Sequence, residues 1–281
     1  MKYLLFGHKG WIGKQIVDLL KLNSQNEIIT SDIRVDNYNE IEQLVINSKP
    51  DRIISVIGRT YGNNINSIDY LEQKGNLKIN INDNLYSPLN LAFISNKYNI
   101  HFTYMGTGCI FNGYDKEYTE DDEPDFFGSS YSIVKGFTDK IIKNFDNVLN
   151  VRIRMPITTD INCNRNFINK IITYKKICSM NNSMTVLPDL LPLLIDMVVK
   201  KEIGTINLVN PGYISHNEIL ELYKEHINSD FKWENMTIEE QNQLLLSERS
   251  NNILNTSKLQ KLYPDVKDIK TSIKFLFTSY S

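Results

Sequence analysis

The sequence predicts an α/β protein, a doubly wound parallel sheet with a smaller C-terminal lobe, on three observations. Short apolar runs alternate with amphipathic helical patterns through the first half of the chain. A glycine-rich turn lies directly between the first apolar run and the first helical pattern. After Pro156 the rhythm changes, and prolines and short polar turns punctuate the chain.

The strand candidates are Lys2–Phe6, Glu27–Thr30, Arg52–Ile57, His101–Met105 and Leu149–Arg154. Their near-continuous apolar character suits strands covered on both faces, as parallel strands are. Trp11–Leu20 reads as the first helix, with Ile12, Ile16, Leu19 and Leu20 on one side. Beyond Pro156, Arg165–Lys176 reads as a helix and Met184–Pro192 as a Pro-punctuated stretch. Thr205–Val209 reads as a strand returning to the main sheet, stopped by Asn210-Pro211-Gly212. Two helical patterns follow, at about His216–His226 and Thr237–Leu246. The expected division is therefore 1–160 and 161–281, with about 184–212 rejoining the first part. The acidic run Glu120-Asp121-Asp122-Glu123 reads as a solvated loop.

Composition narrows the class. A length of 281 residues suits one or two domains of about 100–200 residues each. With 41% hydrophobic and 23% charged residues, the chain is an ordinary globular one, not a disordered or fibrous one. A net charge of −2 argues against a broadly basic nucleic-acid binder. No apolar run is long enough for a membrane span, and a cytosolic protein without membrane partners is expected. Cys109, Cys163 and Cys178 are too few and too scattered for a disulfide framework or a zinc cluster. His8, His101, His216 and His226 have no metal-ligand spacing and read as structural or exposed, so no metal is expected.

Gly7-His8-Lys9-Gly10-Trp11-Ile12-Gly13 follows the first strand and opens the first helix. Gly7 permits the tight turn, Gly10 the approach of a pyrophosphate, and Gly13 close helix packing. The helix N-terminus then offers free N–H groups and a positive dipole end to phosphates. This is the arrangement of a Rossmann dinucleotide-binding domain, with Gly7, Lys9, Gly10, Trp11, Ile12, Gly13, Asp32, Arg34 and Ile57 as its cofactor contacts. Asp32 ends the second strand, where an acid binds the ribose 2′-hydroxyl of NAD. Lys9 and Arg34 flank it and suit the 2′-phosphate of NADP. The reading favours NADP(H) and leaves NAD(H) open.

Tyr131-Ser132-Ile133-Val134-Lys135 places Tyr131 and Lys135 one helical turn apart, with Ser129 or Ser130 as cap. Val134, Phe137, Ile141 and Phe145 would form the adjoining apolar stripe. A phenol of pKa about 10 becomes a useful acid only beside a cation, which Lys135 supplies. Thr107 lies just past the fourth strand, at the sheet edge where ligands bind. Together with the glycine loop, this trio resembles the extended short-chain dehydrogenase/reductase family.

The resemblance narrows with Met105-Gly106-Thr107-Gly108-Cys109-Ile110-Phe111, Arg152-Ile153-Arg154-Met155-Pro156-Ile157 and Arg165-Asn166-Phe167-Ile168. Asn210-Pro211-Gly212, His216-Asn217-Glu218-Ile219-Leu220 and Arg249-Ser250-Asn251-Asn252 extend it almost to the end of the chain. These segments resemble the bifunctional UDP-4-keto-6-deoxyglucose 3,5-epimerase/4-reductases of UDP-rhamnose synthesis, relatives of dTDP-4-dehydrorhamnose reductase. The resemblance implies that Cys109 and Lys170 move protons at sugar C3 and C5, that Thr107 and Tyr131 hold the C4 oxygen, and that Tyr131 and Lys135 serve the reduction. It places Asn84, Thr107, Cys109, Asn166, Lys170, Arg249 and Asn252 around a UDP-sugar, with Arg249 on the diphosphate. Asn217 and Glu218 read as helix support. Asp32 departs from the family pattern, as does a short segment between Phe111 and Tyr131.

The resemblance also implies an upstream 4,6-dehydratase and leaves a homodimer open. Two other readings stand beside it. One is a dTDP-4-dehydrorhamnose reductase without epimerase activity, which needs no Cys109 and Lys170 pair. The other is a non-catalytic NADP-binding regulatory subunit on the same fold.

Overall fold

The central sheet has six strands in the spatial order Glu27–Ser31, Lys2–Phe6, Arg52–Ser55, His101–Thr107, Val148–Ile153, Gly204–Asn207. It is seen in a computed structural model that describes residues 1–278. The first strand pairs in parallel with the second on one side and the third on the other. The third and fourth are parallel as well. The chain thus reverses its winding direction at the first strand, the switch point at which doubly wound sheets bind ligands.

The strand predictions hold to within two residues, and the exceptions matter. The fourth strand runs on to Thr107, so Thr107 ends the strand instead of following it. Gly106 permits this, because a Cβ there would lie 2.6 Å from Asn150 Oδ1. Leu4, Phe6, Ile41, Val45, Ile53, Leu91 and Phe102 form the buried core around the sheet. Among the described residues no helix is long and apolar enough to cross a membrane.

The chain forms two compact units, and a single cut at 160 does not describe them. The first comprises Met1–Thr107, Ser130–Arg152 and Leu191–Ile206; the second comprises Gly108–Ser129, Ile153–Leu190 and the chain from Asn207. Residues 108–129 fall in the second unit because Gly113–Tyr118 pairs with Asn252–Leu254. Ile110, Phe111 and Tyr118 also share a buried cluster with Val209 and Leu254. The rejoining segment is shorter than expected, at Leu191–Ile206.

The second unit has its own core, including Ile157, Ile168, Ile171, Met184, Ile214, Leu220 and Phe277. Its helix Phe167–Thr173 is shorter than Arg165–Lys176 at both ends. Asn166 caps the start, and Lys176–Ile177 is drawn into a short parallel ladder with Glu234–Asn235. The Pro-punctuated stretch opens a helix, Leu187–Lys200. Pro188 sits in its first turn, where no intrahelical donor is needed. His216–His226 is a helix with the boundaries the sequence predicts, started by a reciprocal Ser215–Glu218 capping box. The acidic run is only partly solvated: Glu120 accepts a bond from Asn207 N at 2.9 Å, and Asp122 accepts from Thr119 N at 2.7 Å.

The helix Ser130–Ile142 corrects the expected apolar stripe. Phe137 is 55% exposed and Ile141 is 37% exposed. The buried face carries Val134, Thr138, Asp139 and Ile142, a register rotated towards polar residues. Asp139 explains the rotation, since its carboxylate takes bonds from Arg152 Nε at 2.9 Å and Nη2 at 2.7 Å. Both side chains are out of water, at 0% and 3% exposure. Breaking such a pair strands one charge, so Asp139→Ala should cost about 3–5 kcal/mol. Urea unfolding of the two proteins would measure that difference.

Candidate active site

The geometry of the glycine turn fits a phosphate group. Gly7 has φ +83°, and Gly10 N donates to Gly7 O at 3.0 Å. A Cβ at Gly13 would lie 2.1 Å from Gly7 O, so no side chain fits there. Gly10 is the residue before the helix Trp11–Lys21 and makes no side-chain cap. The first intrahelical bond of this start is Lys14 N to Gly10 O at 3.0 Å. Helix geometry therefore leaves the N–H groups of Trp11, Ile12 and Gly13 facing outward, as a pyrophosphate requires.

Beside this turn lies a cavity of about 400 Å³, lined among others by Gly7, Lys9, Asp32, Arg34, Ile57 and Arg59. Lys9 Nζ donates to Asp32 Oδ2 at 2.5 Å, and this bond holds the exposed Asp32 carboxyl below the usual carboxylate range. Arg34 Nη2 and Arg59 Nε both donate to the buried Asp83, each at 2.9 Å. Three cations line the cavity, and the acid that would favour a 2′-hydroxyl is already paired. That balance fits a phosphate-bearing ribose. Arg59, Asp83 and His8 line the same cavity and were not assigned to the cofactor from sequence. Their one signal was position, since Arg59 follows a strand end and Asp83 precedes the singled-out Asn84.

Within the same unit, Tyr131 is 8% exposed, Lys135 3% and Thr107 6%. The Lys135 ammonium donates to the Tyr104 hydroxyl and sits 4.4 Å from the centre of that ring. Burial pushes the Tyr104 phenol well above its ordinary value, with the charges of Tyr131 and Asp139 adding to the effect. Tyr104 therefore stays protonated and orients Lys135 without taking up a proton. The strand His101–Thr107 is buried at every position, and nothing in the sequence context of Tyr104 marks it as a partner of Lys135.

In the second unit, Cys109 is half-buried and Lys170 lies on the helix Phe167–Thr173. Burial first, then the charges of Arg165 and Arg249, lower the Lys170 ammonium to about 8. Such an amine exchanges protons near neutral pH, which an ordinary solvated lysine does not. Arg249 is half-buried and donates to Ser247 O at 3.0 Å.

Three asparagines expected to touch substrate also bond within the protein. Asn84, 0% exposed, donates to Arg59 O at 2.9 Å and Asn80 Oδ1 at 2.8 Å and accepts from Arg59 N at 2.9 Å. It fastens the Arg59 loop to a π-helical turn at Asn82–Tyr86. Asn166, also 0% exposed, caps its helix through Ile168 N and donates to Thr158 O and Asp160 O. Asn252 donates to Gly108 O at 3.1 Å and Phe111 O at 2.9 Å. These amides hold backbone in place. Asn217 keeps its supporting role, accepting from Trp233 Nε1 at 2.9 Å.

No family model matches the chain. It is 52% identical to protein L780 of Acanthamoeba polyphaga mimivirus over 98% of this chain and 96% of that one. The crystal structure described as the L780 UDP-rhamnose synthase superposes with a TM-score of 0.96, at 51% identity, over 99% of each chain. A bifunctional dTDP-4-dehydrorhamnose 3,5-epimerase/dTDP-4-dehydrorhamnose reductase of Arabidopsis thaliana is 36% identical over 98% of this chain and 92% of its own. The Arabidopsis trifunctional protein RHM1, a UDP-glucose 4,6-dehydratase, 3,5-epimerase and reductase, is 37% identical over 97% of this chain. The match spans 41% of RHM1, less than half its length.

The Lys170 environment makes a direct prediction. In lysine-labelled protein, the Lys170 signal should lose its proton around pH 8, with the cation present below and absent above. Arg249→Met removes one of the cations that depress it, so its midpoint should move upward. NMR titration of the two proteins measures both.

Proposed function

We propose, since this chain belongs to the 3,5-epimerase/4-reductase family of rhamnose nucleotide synthesis, that it converts UDP-4-keto-6-deoxy-D-glucose to UDP-L-rhamnose. One observation carries the reading furthest. Lys170 has a proton affinity suited to neutral pH, at about 8, beside two arginines that repel its charge. A reductase alone needs no such group. Family resemblance pairs it with Cys109, and an epimerase needs an acid and a base acting on opposite faces.

The chemistry follows from the substrate. A ketone at C4 acidifies the hydrogens on C3 and C5, because the electron pair left behind spreads onto the C4 oxygen. Cys109 takes the proton as a thiolate, and Lys170 returns one from the other face. Thr107 and Tyr131 donate to the C4 oxygen and stabilise the enolate. After epimerisation, Tyr131 gives its proton to that oxygen as the ketone is reduced. Lys135, held by Tyr104, keeps a positive charge near the Tyr131 phenol. Arg249 suits the substrate diphosphate through its planar fork.

The hydride comes from NADPH when it is bound. The side-chain-free turn at Gly7, Gly10 and Gly13 fits its pyrophosphate, and Lys9, Arg34 and Arg59 fit its 2′-phosphate. The substrate's 6-deoxy-4-keto group requires a preceding 4,6-dehydratase.

With keto-sugar and NADPH in deuterated water, the rhamnose product should carry deuterium at C3 and C5 by NMR. NADPH oxidation without deuterium would leave only a reductase, and no turnover with UDP- or dTDP-linked substrate would remove the enzyme reading. Cys109→Ser should slow deuterium incorporation by about 10²–10⁴-fold, while Tyr131→Phe should chiefly slow reduction. Incorporation should also decline above about pH 8, as the Lys170 acid loses its proton. Lys9→Ala should weaken NADPH binding about 10- to 150-fold and NADH binding little, since one charge-assisted hydrogen bond is worth about 1.5–3 kcal/mol.

A further inference from the structure

Asp83 is a carboxylate in a cavity read as the seat of a phosphate, and by sign alone it does not belong there. It lines that cavity with Lys9, Arg34 and Arg59 and is only 6% exposed. Its two oxygens divide between two cations: Oδ1 accepts from Arg34 Nη2 and Oδ2 from Arg59 Nε, each at 2.9 Å. A buried carboxylate needs such partners, because taking its charge out of water is costly. The arginines lie much more in water, with side chains 62% and 36% exposed. Left to itself, an arginine so placed samples many rotamers and loses that freedom when it meets an anion.

Two consecutive residues fix Arg59. Asp83 takes its side chain, while Asn84 takes its backbone, accepting from Arg59 N at 2.9 Å and donating to Arg59 O at 2.9 Å. Both belong to the π-helical turn Asn82–Tyr86, a kind of turn found frequently at functional sites. Thr138 Oγ1 ties the same turn to the Tyr–Lys helix, donating to Asn84 O at 2.6 Å. Arg34 is gripped along one edge: Nε and Nη2 meet Asp36 at 3.1–3.3 Å, and Nη2 is shared with Asp83. Among the described residues these bonds use Nε and Nη2 of Arg34 and only Nε of Arg59. Arg34 Nη1 and both terminal nitrogens of Arg59 are left for an anion. Two guanidiniums at one cavity also repel each other, and the carboxylate they share offsets that repulsion.

We infer that Asp83 sets the preference for NADPH over NADH as a positioning residue: it bridges Arg34 and Arg59 and holds both guanidiniums ready for the ribose 2′-phosphate. This rests on the reading of the cavity as the 2′-phosphate site. Asp83 acts through the two arginines and donates nothing to the phosphate itself. Its negative charge repels a phosphate, and the prior ordering of two flexible cations outweighs that repulsion. The sign is the reverse of simple charge counting: removing this acid from a phosphate site weakens phosphate binding.

The test is calorimetric titration of NADPH and NADH into the full chain, beside NMR relaxation of the arginine Nε–H groups in the free protein. Asp83→Asn leaves one acceptor and should weaken NADPH binding about three- to tenfold, the cost of ordering one long side chain, with NADH binding little changed. Asp83→Ala frees both arginines and should weaken it further. The Arg59 Nε–H, identified by its loss in Arg59→Met, should be rigid in the parent and mobile in both Asp83 variants. In an Arg34→Met/Arg59→Met background, Asp83→Asn should cost NADPH binding nothing more. NADPH binding unchanged or tighter in Asp83→Asn, an equal loss for NADH, or a loss that persists without the two arginines would overturn the positioning role. An Arg59 Nε–H already mobile in the parent overturns it too, even should the Asp83 variants not fold. If Arg34→Met/Arg59→Met itself binds NADPH as tightly as the parent does, the 2′-phosphate reading of the cavity falls instead.

Discussion

Everything in the cofactor-binding unit depends on one close approach. Gly13 packs so tightly against the carbonyl of Gly7 that a single added carbon would sit 2.1 Å from that oxygen. The contact sets the angle at which the first helix leaves the first strand. That angle aims the helix N–H groups, and it brings the turn beside the end of the second strand, where Lys9 meets Asp32. The parallel pairing of the first strand with both neighbours makes this edge the switch point of the sheet.

Buried charge is handled in two contrasting ways within three consecutive residues. Arg152 is neutralised by a forked contact with Asp139, which also turns the Tyr–Lys helix so that Asp139 and Thr138 face inward. Arg154 is held by amides, hydroxyls and carbonyls alone. The backbone just beyond it is strained, with Met155, a non-glycine residue ahead of a proline, at φ +39°. Strain and uncompensated charge thus meet at one point, where Arg154 also holds Gly108 O.

Much of the candidate site was legible because its elements are local. The glycine spacing, the four-residue step from Tyr131 to Lys135, and the strand end at Thr107 are each set within one turn or one strand. Cys109 and Lys170 were legible only through family resemblance, since a lone thiol or a helix lysine carries no local signature. The internal bonding of three asparagines was not legible in the sequence, for a common reason. An amide has two donors and an acceptor whatever its neighbours, and the donors of Asn84, Asn166 and Asn252 bond backbone carbonyls that sequence does not bring near, among other groups. Arg59 and Tyr104 were missed for the converse reason, because their partners lie far along the chain.

By itself the sequence determined the winding of the sheet, the phosphate turn and the Tyr–Lys step, because hydrophobic period, glycine sterics and helical pitch act over a few residues. Only the tertiary structure decided that residues 108–129 belong with the second unit, which face of the Tyr–Lys helix is buried, and that Lys170 loses its proton near 8. Those outcomes depend on burial and on charges brought together by folding, and both quantities come into being only when distant segments pack.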